Sequence, residues 1–348
     1  MEYAFPAAAT ASSEATAARF AGPIWTLAIL APVIAEVLSG STRLSFLFVL
    51  VPEIMVWGCG ALLCRELVRR WQAGGTSLLL LGLALSIAEE FVIQQTSLAP
   101  LPFPGANVSY GRAWGVNWLY FLFMLGYESV WVVLVPVEIT ELIFPARRSQ
   151  PWLRKRGAVL ACAIFAAGSL IAGYAWIYRA RPSLHAPAYH PAPTAIAAGV
   201  AAMLALAWSA YWLRGAGEEA RKHAGGGVSP WLAGTAAFAM TVGWFQLIGL
   251  VFTPVRYPVW MPLTAGCAWA ALAFVLFLRW STRHQWGDAQ RWSAAFGAVM
   301  ACMSVGYLST AGWSRADLTF KAIVNALAAA GLLVLARKVW QRQNAARA

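Results

Sequence analysis

Residues 77–99 read SLLLLGLALSIAEEFVIQQTSLA and hold no charge except the adjacent pair Glu89 and Glu90. A helix needs about 20 mostly apolar residues to cross a hydrocarbon core about 30 Å thick, and this run supplies them. Working outward, nine further apolar runs fall near 24–39, 44–63, 115–144, 157–178, 193–213, 230–253, 259–279, 292–311 and 318–336. Of the 348 residues, 60% are hydrophobic and 11% charged, where soluble domains carry about a quarter charged. That excludes a soluble enzyme and predicts an all-α polytopic transmembrane bundle of about ten spans. The first run is the shortest.

The net charge of +12 raises the question of a nucleic-acid partner, which the placement of the basic residues excludes. They lie between the apolar runs rather than on one face interleaved with stacking aromatics. With the N-terminus inside, nineteen of the 26 Lys and Arg fall on the inner side, including Arg65, Arg69, Arg70, Arg147, Arg148 and Lys155. Only Arg43, Arg112, Arg179, Arg181, Arg256 and Arg315 fall outside, and Lys321 lies just within the last span, near its outer edge. The positive-inside rule therefore predicts an N-in/C-in topology. The lipid bilayer is the expected partner, with some attraction to its anionic lipids.

Three segments divide the chain: a Ser/Thr/Ala-rich tail at 1–22, expected to be disordered and cytoplasmic; spans 1–4 within 23–150; and spans 5–10 within 151–348. The glycine-rich stretch 215–228 is the most linker-like. Trp residues near span ends, among them Trp25, Trp114, Trp152, Trp212, Trp231, Trp260, Trp280 and Trp292, suit the headgroup layer. The five cysteines stand singly in apolar runs without a CxxC pair, so they are expected to pack rather than to form disulfides or bind metal. His185 and His190, in a Pro-rich loop, are expected to be solvated.

The acids carry the functional signal. Seven of the fourteen Asp and Glu lie inside the first four runs: Glu36, Glu53, Glu89, Glu90, Glu128, Glu138 and Glu141. A carboxylate at the bilayer centre costs at least about 2.5 kcal/mol even on insertion scales. Counting about 1.5 Å of rise per residue, Glu36, Glu53, Glu89, Glu90 and Glu128 fall in one layer near the midplane. No Lys, Arg or His is expected at that depth, so desolvation and mutual repulsion favour protonated carboxyls unless a cation or an aqueous cavity compensates. In the third run Ser86, Glu90, Gln94 and Ser97 follow helical spacing on one face, flanked by Glu89 and Gln95. Pro32, Pro52 and Pro136 share the runs of Glu36, Glu53 and Glu128, and each frees a carbonyl about one turn earlier. Glu138 and Glu141 approach the inner face just before Arg147 and Arg148 and are expected to snorkel or pair there. Glu66, beside Arg65, Arg69 and Arg70, reads as a surface ion pair. The plain alternative for all the buried acids is interhelical packing, worth about 0.6 kcal/mol each.

The stretches 60–70 (GALLCRELVRR), 81–95 (LGLALSIAEEFVIQQ), 115–119 (GVNWL) and 135–145 (VPVEITELIFP) resemble an uncharacterised family of bacterial multi-pass membrane proteins. That resemblance implies a bacterial cytoplasmic-membrane address. Glu89 and Glu90 are also similar to the Glu-Glu-x-x-x-Arg motif of the CPBP (CAAX protease and bacteriocin-processing, or Abi) intramembrane proteases. Gln94 stands where that motif has Arg, and no span contains His. The likeness implies a membrane-embedded hydrolase in which a glutamate activates water. Glu89, Glu90 and Glu128 are then the candidate catalytic groups, and Glu36, Glu53, Gln94 and Asn117 the candidate substrate- or ion-binding groups. A proton- or cation-coupled transporter is the competing class, since a midplane acidic site without fixed cations suits a proton, Na+ or organic cation. A lipid- or isoprenoid-modifying enzyme with a protonated glutamate as acid, and a non-catalytic scaffold, complete the set. Possible partners are thus a cation, a proton or a lipid-anchored substrate. Cofactors and metals are left open.

Overall fold

The computed structural model describes residues 21–102, 110–186, 188–215, 227–252, 257–283 and 285–345. Nearly all of the expected N-terminal tail and most of the 215–228 linker lie outside these residues. Ten helices among the described residues are long and apolar enough to cross a membrane: α1 Ala21–Leu38, α2 Leu44–Arg70, α3 Gly75–Ile93, α4 Trp118–Ile143, α5 Lys155–Ser183, α6 Pro193–Gly215, α7 Pro230–Val251, α8 Trp260–Ser281, α9 Asp288–Ser309 and α10 Arg315–Ala345. Each coincides with one of the ten apolar runs. An even number of crossings returns the chain to its starting side, in keeping with N-in/C-in.

Local chemistry sets several of the ends. Pro193 and Pro230 open α6 and α7, where a helix has no use for the missing N–H. Asn117 caps α4, its side chain accepting from the Tyr120 N–H at 3.0 Å. Two short strands, β1 Arg112–Ala113 and β2 Val116–Asn117, pair antiparallel ahead of α4. Their turn places Trp114 and Gly115 at φ 51° and 80°, the paired positive angles of a tight hairpin. Several boundaries differ from the sequence reading, and three have a clear local cause. Helix α3 stops at Ile93, because the chain turns at Gln95 with φ 61°. Helices α9 and α10 begin earlier, at Asp288 and Arg315, and so take Asp288 and Asp317 into their first turns, where an acid suits the positive helix end.

Helix α3 is the hub, 72% of its most apolar window being buried, against 11% for α6 and for α8, which show most of their surface outward. It packs on α2, α4 and α6, while α7 and α9 lie along each other and α9 also meets α4. Helix α1 fits between α2, α4, α9 and α10. The α1–α2 contact depends on Gly58, where an added Cβ would stand 2.1 Å from the Ala28 carbonyl oxygen. Close backbone approach of this kind is how helices associate in lipid. Gly58→Ala is accordingly expected to cost about 1–3 kcal/mol from overpacking, measured as a lower midpoint of thermal unfolding in detergent. An unchanged midpoint would contradict the close approach.

At the end of the bundle that holds the last turns of α2 and α4, the basic end, charges are buried and paired. Glu141 is wholly buried and accepts from Arg65 Nε at 3.2 Å, Arg69 Nη2 at 2.6 and 2.7 Å, and Arg291 Nη2 at 3.2 Å. Arg65, also wholly buried, lies 3.4 Å from the centre of the Trp152 ring and donates to the carbonyls of Arg147, Arg148 and Gln150. Glu138 pairs with Arg291 at 2.5 Å. The expected partners Arg147 and Arg148 are therefore replaced by arginines from α2 and α9, because these helices close over the end of α4. Glu66 is not a surface ion pair either. It is buried and accepts from the N–H groups of Trp152 and Leu153 as well as from Arg70, tying the chain ahead of α5 to α2. The tryptophans divide similarly. Trp25, Trp114, Trp212, Trp231 and Trp260 are exposed as interface anchors should be, but Trp152, Trp280 and Trp292 are buried, and Trp292 donates to the Leu332 carbonyl.

Candidate functional site

Each of the four acid-bearing helices changes from α to π winding where it carries its glutamate. In these helices the π segments are Val33–Leu38 with Glu36, Ile54–Gly58 directly after Glu53, Ala88–Ile93 with Glu89 and Glu90, and Glu128–Leu134; a fifth, Trp176–Ala180 on α5, carries no acid. Such segments are rare and concentrate at functional sites. They widen the turn and leave backbone carbonyls with irregular partners. The Glu36 carbonyl alone receives the N–H groups of Ser39, Gly40 and Thr42 and the Ser39 hydroxyl. Pro32, Pro52 and Pro136 flank three of the four segments, as expected from their lost N–H groups.

The acids of the four helices lie near one another. Glu36 lies within Coulomb range of Glu53 and Glu89, Glu89 of Glu90 and Glu53, and Glu128 of Glu89, Glu90 and Glu36. Glu53, Glu89, Glu90 and Glu128 are buried and Glu36 is half-buried. Among the described residues none of the five forms an ion pair; the seven salt bridges join other acids to arginine. Six buried carboxyl oxygens also lack a hydrogen-bond partner: both of Glu89, both of Glu128, Oε1 of Glu90 and Oε2 of Glu53. The other oxygen of Glu53 and of Glu90 is held by hydroxyls. Thr42 donates to Glu53 Oε1 at 2.7 Å, and Thr96 and Ser97 both donate to Glu90 Oε2, at 2.8 and 2.5 Å. Glu90 is thus fixed through one oxygen with the other free.

The cluster sits closer to one end of the bundle than the midplane layer drawn from the sequence. Glu36 is two residues from the end of α1, and Glu90 three from the end of α3, whereas Glu128 lies ten residues into α4. Counting from apolar runs overextended α3 through Ala99. For the same reason Ser97 reaches Glu90 by folding back through the turn after Gln95, not by continuing a helical face. Ser86 donates to the Met124 carbonyl of α4 at 3.1 Å and lies beside Glu128 rather than Glu90. Gln94 is half-buried at the helix end. Asn117 is buried, spends its Oδ1 capping α4, and through its N–H binds the Ser97 carbonyl at 2.8 Å, so it positions the turn that holds Glu90; its Nδ2 has no partner.

Some neighbours of the cluster went unnoticed in the sequence. Tyr120, beside Thr96, lies within Coulomb range of Glu90, Glu128 and Glu36. Tyr127 donates its hydroxyl to the Ala35 carbonyl, one residue before Glu36. Trp57, one turn beyond Glu53, has a buried indole N–H without a partner. Their signal is a polar-tipped aromatic at or near helical spacing from an intramembrane acid, since Tyr120 and Tyr127 are eight and one residues before Glu128.

Among the described residues no three His, Cys, Asp or Glu converge in a way that could hold a metal ion. The hydroxyl-held glutamates and free oxygens can bind protons or a singly charged cation, and Glu90 is also held as a general base would need to be. The CPBP motif's cation has no counterpart here, as Gln94 carries none, and the resemblance to those proteases draws no support from comparison with known proteins. No curated protein and no solved structure matches the chain. A family model does match it, over residues 26–346. Ten membrane-crossing helices and a match running over nearly all of the chain make this an integral membrane protein that belongs to an uncharacterized membrane protein family.

Proposed function

We propose that the protein exchanges protons for a singly charged cation across the membrane, with Glu53, Glu89, Glu90 and Glu128 as the exchange site and Glu36 at its edge. The observation that carries this reading is the set of six buried, unpartnered carboxyl oxygens from three helices, none of them ion-paired among the described residues; the buried Lys321 next to the end of α1 donates instead to the Leu38 and Ser39 carbonyls. Unpaired carboxylates in low dielectric bind a proton or a cation in alternation, since either removes the cost of the buried charge. The π segments supply irregular backbone beside the acids, the setting in which transporters coordinate ions. Reconstituted in liposomes with a pH-reporting dye inside, the protein is expected to move protons when a gradient of Na+ or a small quaternary ammonium ion is imposed. Glu90→Gln and Glu128→Gln are each expected to reduce that signal to the level of empty liposomes while the protein still elutes as a folded species. Wild-type protein that moves no protons under either gradient would overturn the exchange reading.

A second reading, a membrane-embedded hydrolase with Glu89 or Glu90 as general base, rests on Glu90 being held through one oxygen by Thr96 and Ser97 with the other left free. Cleavage of a lipid-anchored peptide, lost in Glu90→Gln, would favour it over exchange.

A further inference from the structure

A groove of about 360 Å³ runs between α1 and α10, with walls that include Ile34, Leu38, Ile143, Gly331 and Leu335; Ile34 and Leu38 flank Glu36 on α1 and line a different face of that helix. Every residue lining it is apolar except one, Lys338, at the basic end beside Ile143. Lys338 is exposed and has no ion pair among the described residues, since the acids at that end, Glu138 and Glu141, are taken by Arg65, Arg69 and Arg291. Arg342, one turn further along α10, holds the Leu142 carbonyl at 2.9 Å and adds a second positive charge at the same mouth. From Ala328 to Lys338 the groove follows α10 for about 15 Å. A straight apolar groove of that length suits an extended hydrocarbon chain.

We infer that this groove binds one acyl chain of an anionic phospholipid, with the phosphate seated on Lys338. The occupant's chemistry follows from the lining: a long uniformly apolar channel with positive charge at one end complements an amphiphile whose only polar part is a negative head. The basic end is also where the positive-inside pattern places the leaflet facing the cytoplasm, whose anionic lipids attract Lys and Arg by about 1 kcal/mol each.

Gly331 makes the inference testable without disturbing the fold, because a Cβ built there meets nothing within 4 Å. Gly331→Phe would lay a ring along the groove where the chain is meant to lie. Protein exchanged into detergent with equal amounts of phosphatidylglycerol and phosphatidylcholine of matched chains, then weighed intact by native mass spectrometry, is expected to retain phosphatidylglycerol preferentially. Lys338→Gln is expected to lower that retention about fivefold, the equivalent of about 1 kcal/mol for one interfacial charge. Gly331→Phe, checked for unchanged helicity and unfolding midpoint, is expected to abolish it. Equal retention of the two lipids by wild-type protein, or undiminished phosphatidylglycerol on Gly331→Phe, would overturn the inference. So would a Gly331→Phe variant that keeps its lipid but runs at a smaller oligomeric mass than wild type, since the groove would then be a contact between copies.

Discussion

Glu141→Met is expected to destabilise the protein by about 3–5 kcal/mol, the usual cost of removing one partner from a buried ion network. Glu141 is the hub through which three arginines from α2 and α9 are neutralised, and it has no exposure of its own. Methionine matches its size, so the substitution leaves little cavity, and what is lost is charge compensation. Arg65 suffers most, being wholly buried; it keeps three backbone carbonyls and the face of Trp152 but loses its only carboxylate contact among the described residues. Arg69, partly exposed, can turn outward, and Arg291 retains Glu138 and Asp288. Reversible unfolding in mixed micelles followed by far-UV circular dichroism measures the loss. The double substitution Arg65→Met with Glu141→Met is expected to recover part of it, because an orphaned buried charge costs more than an apolar pair in its place. A single-variant loss below about 1 kcal/mol would mean that these groups behave as a surface pair does.

Hydropathy alone locates all ten helices, and the acid count points to the four whose buried acids lie near one another, because both depend on the cost of polar groups in hydrocarbon and not on neighbours. The local failures have physical reasons. The sequence Gln94-Gln95-Thr96-Ser97-Leu98-Ala99 is uncharged enough to extend a hydrophobic run, yet Gln95 turns the chain and carries Thr96 and Ser97 back onto Glu90. The π segments are illegible for a different reason. An extra residue per turn leaves composition unchanged and shifts side-chain direction only over a few positions. Glu66 reads as a surface ion pair because it sits among arginines in the sequence, and Glu141 as an acid that snorkels or pairs at the inner face because arginines follow it; their burial comes from the chain ahead of α5 and from α9 closing over them, which only the tertiary arrangement specifies. The facing of Glu36, Glu53, Glu89, Glu90 and Glu128 depends on helix rotation, again a property of packing. Asn117 shows how a polar residue near a site can be chosen for the wrong reason: its carbonyl oxygen serves a helix cap, and its bearing on Glu90 passes through the Ser97 backbone.

Glu128→Met, on the same helix as Glu141, is expected to act in the opposite direction and stabilise the protein by about 1–3 kcal/mol, the cost of a buried polar group left without a partner. Both Glu128 oxygens are buried and unpartnered, and its charged neighbours are the acids Glu89, Glu90 and Glu36. Thirteen residues further along α4, Glu141 has three cationic partners. One helix therefore carries a glutamate that holds the fold together and another that works against it. A group that lowers stability persists where activity requires it, so Glu128→Met is expected to raise the unfolding midpoint while abolishing cation-driven proton movement in liposomes. The paired readout separates function from packing. If Glu128 were interhelical glue, its loss would lower stability and leave any flux intact, and that result would remove the cluster from consideration as the working site.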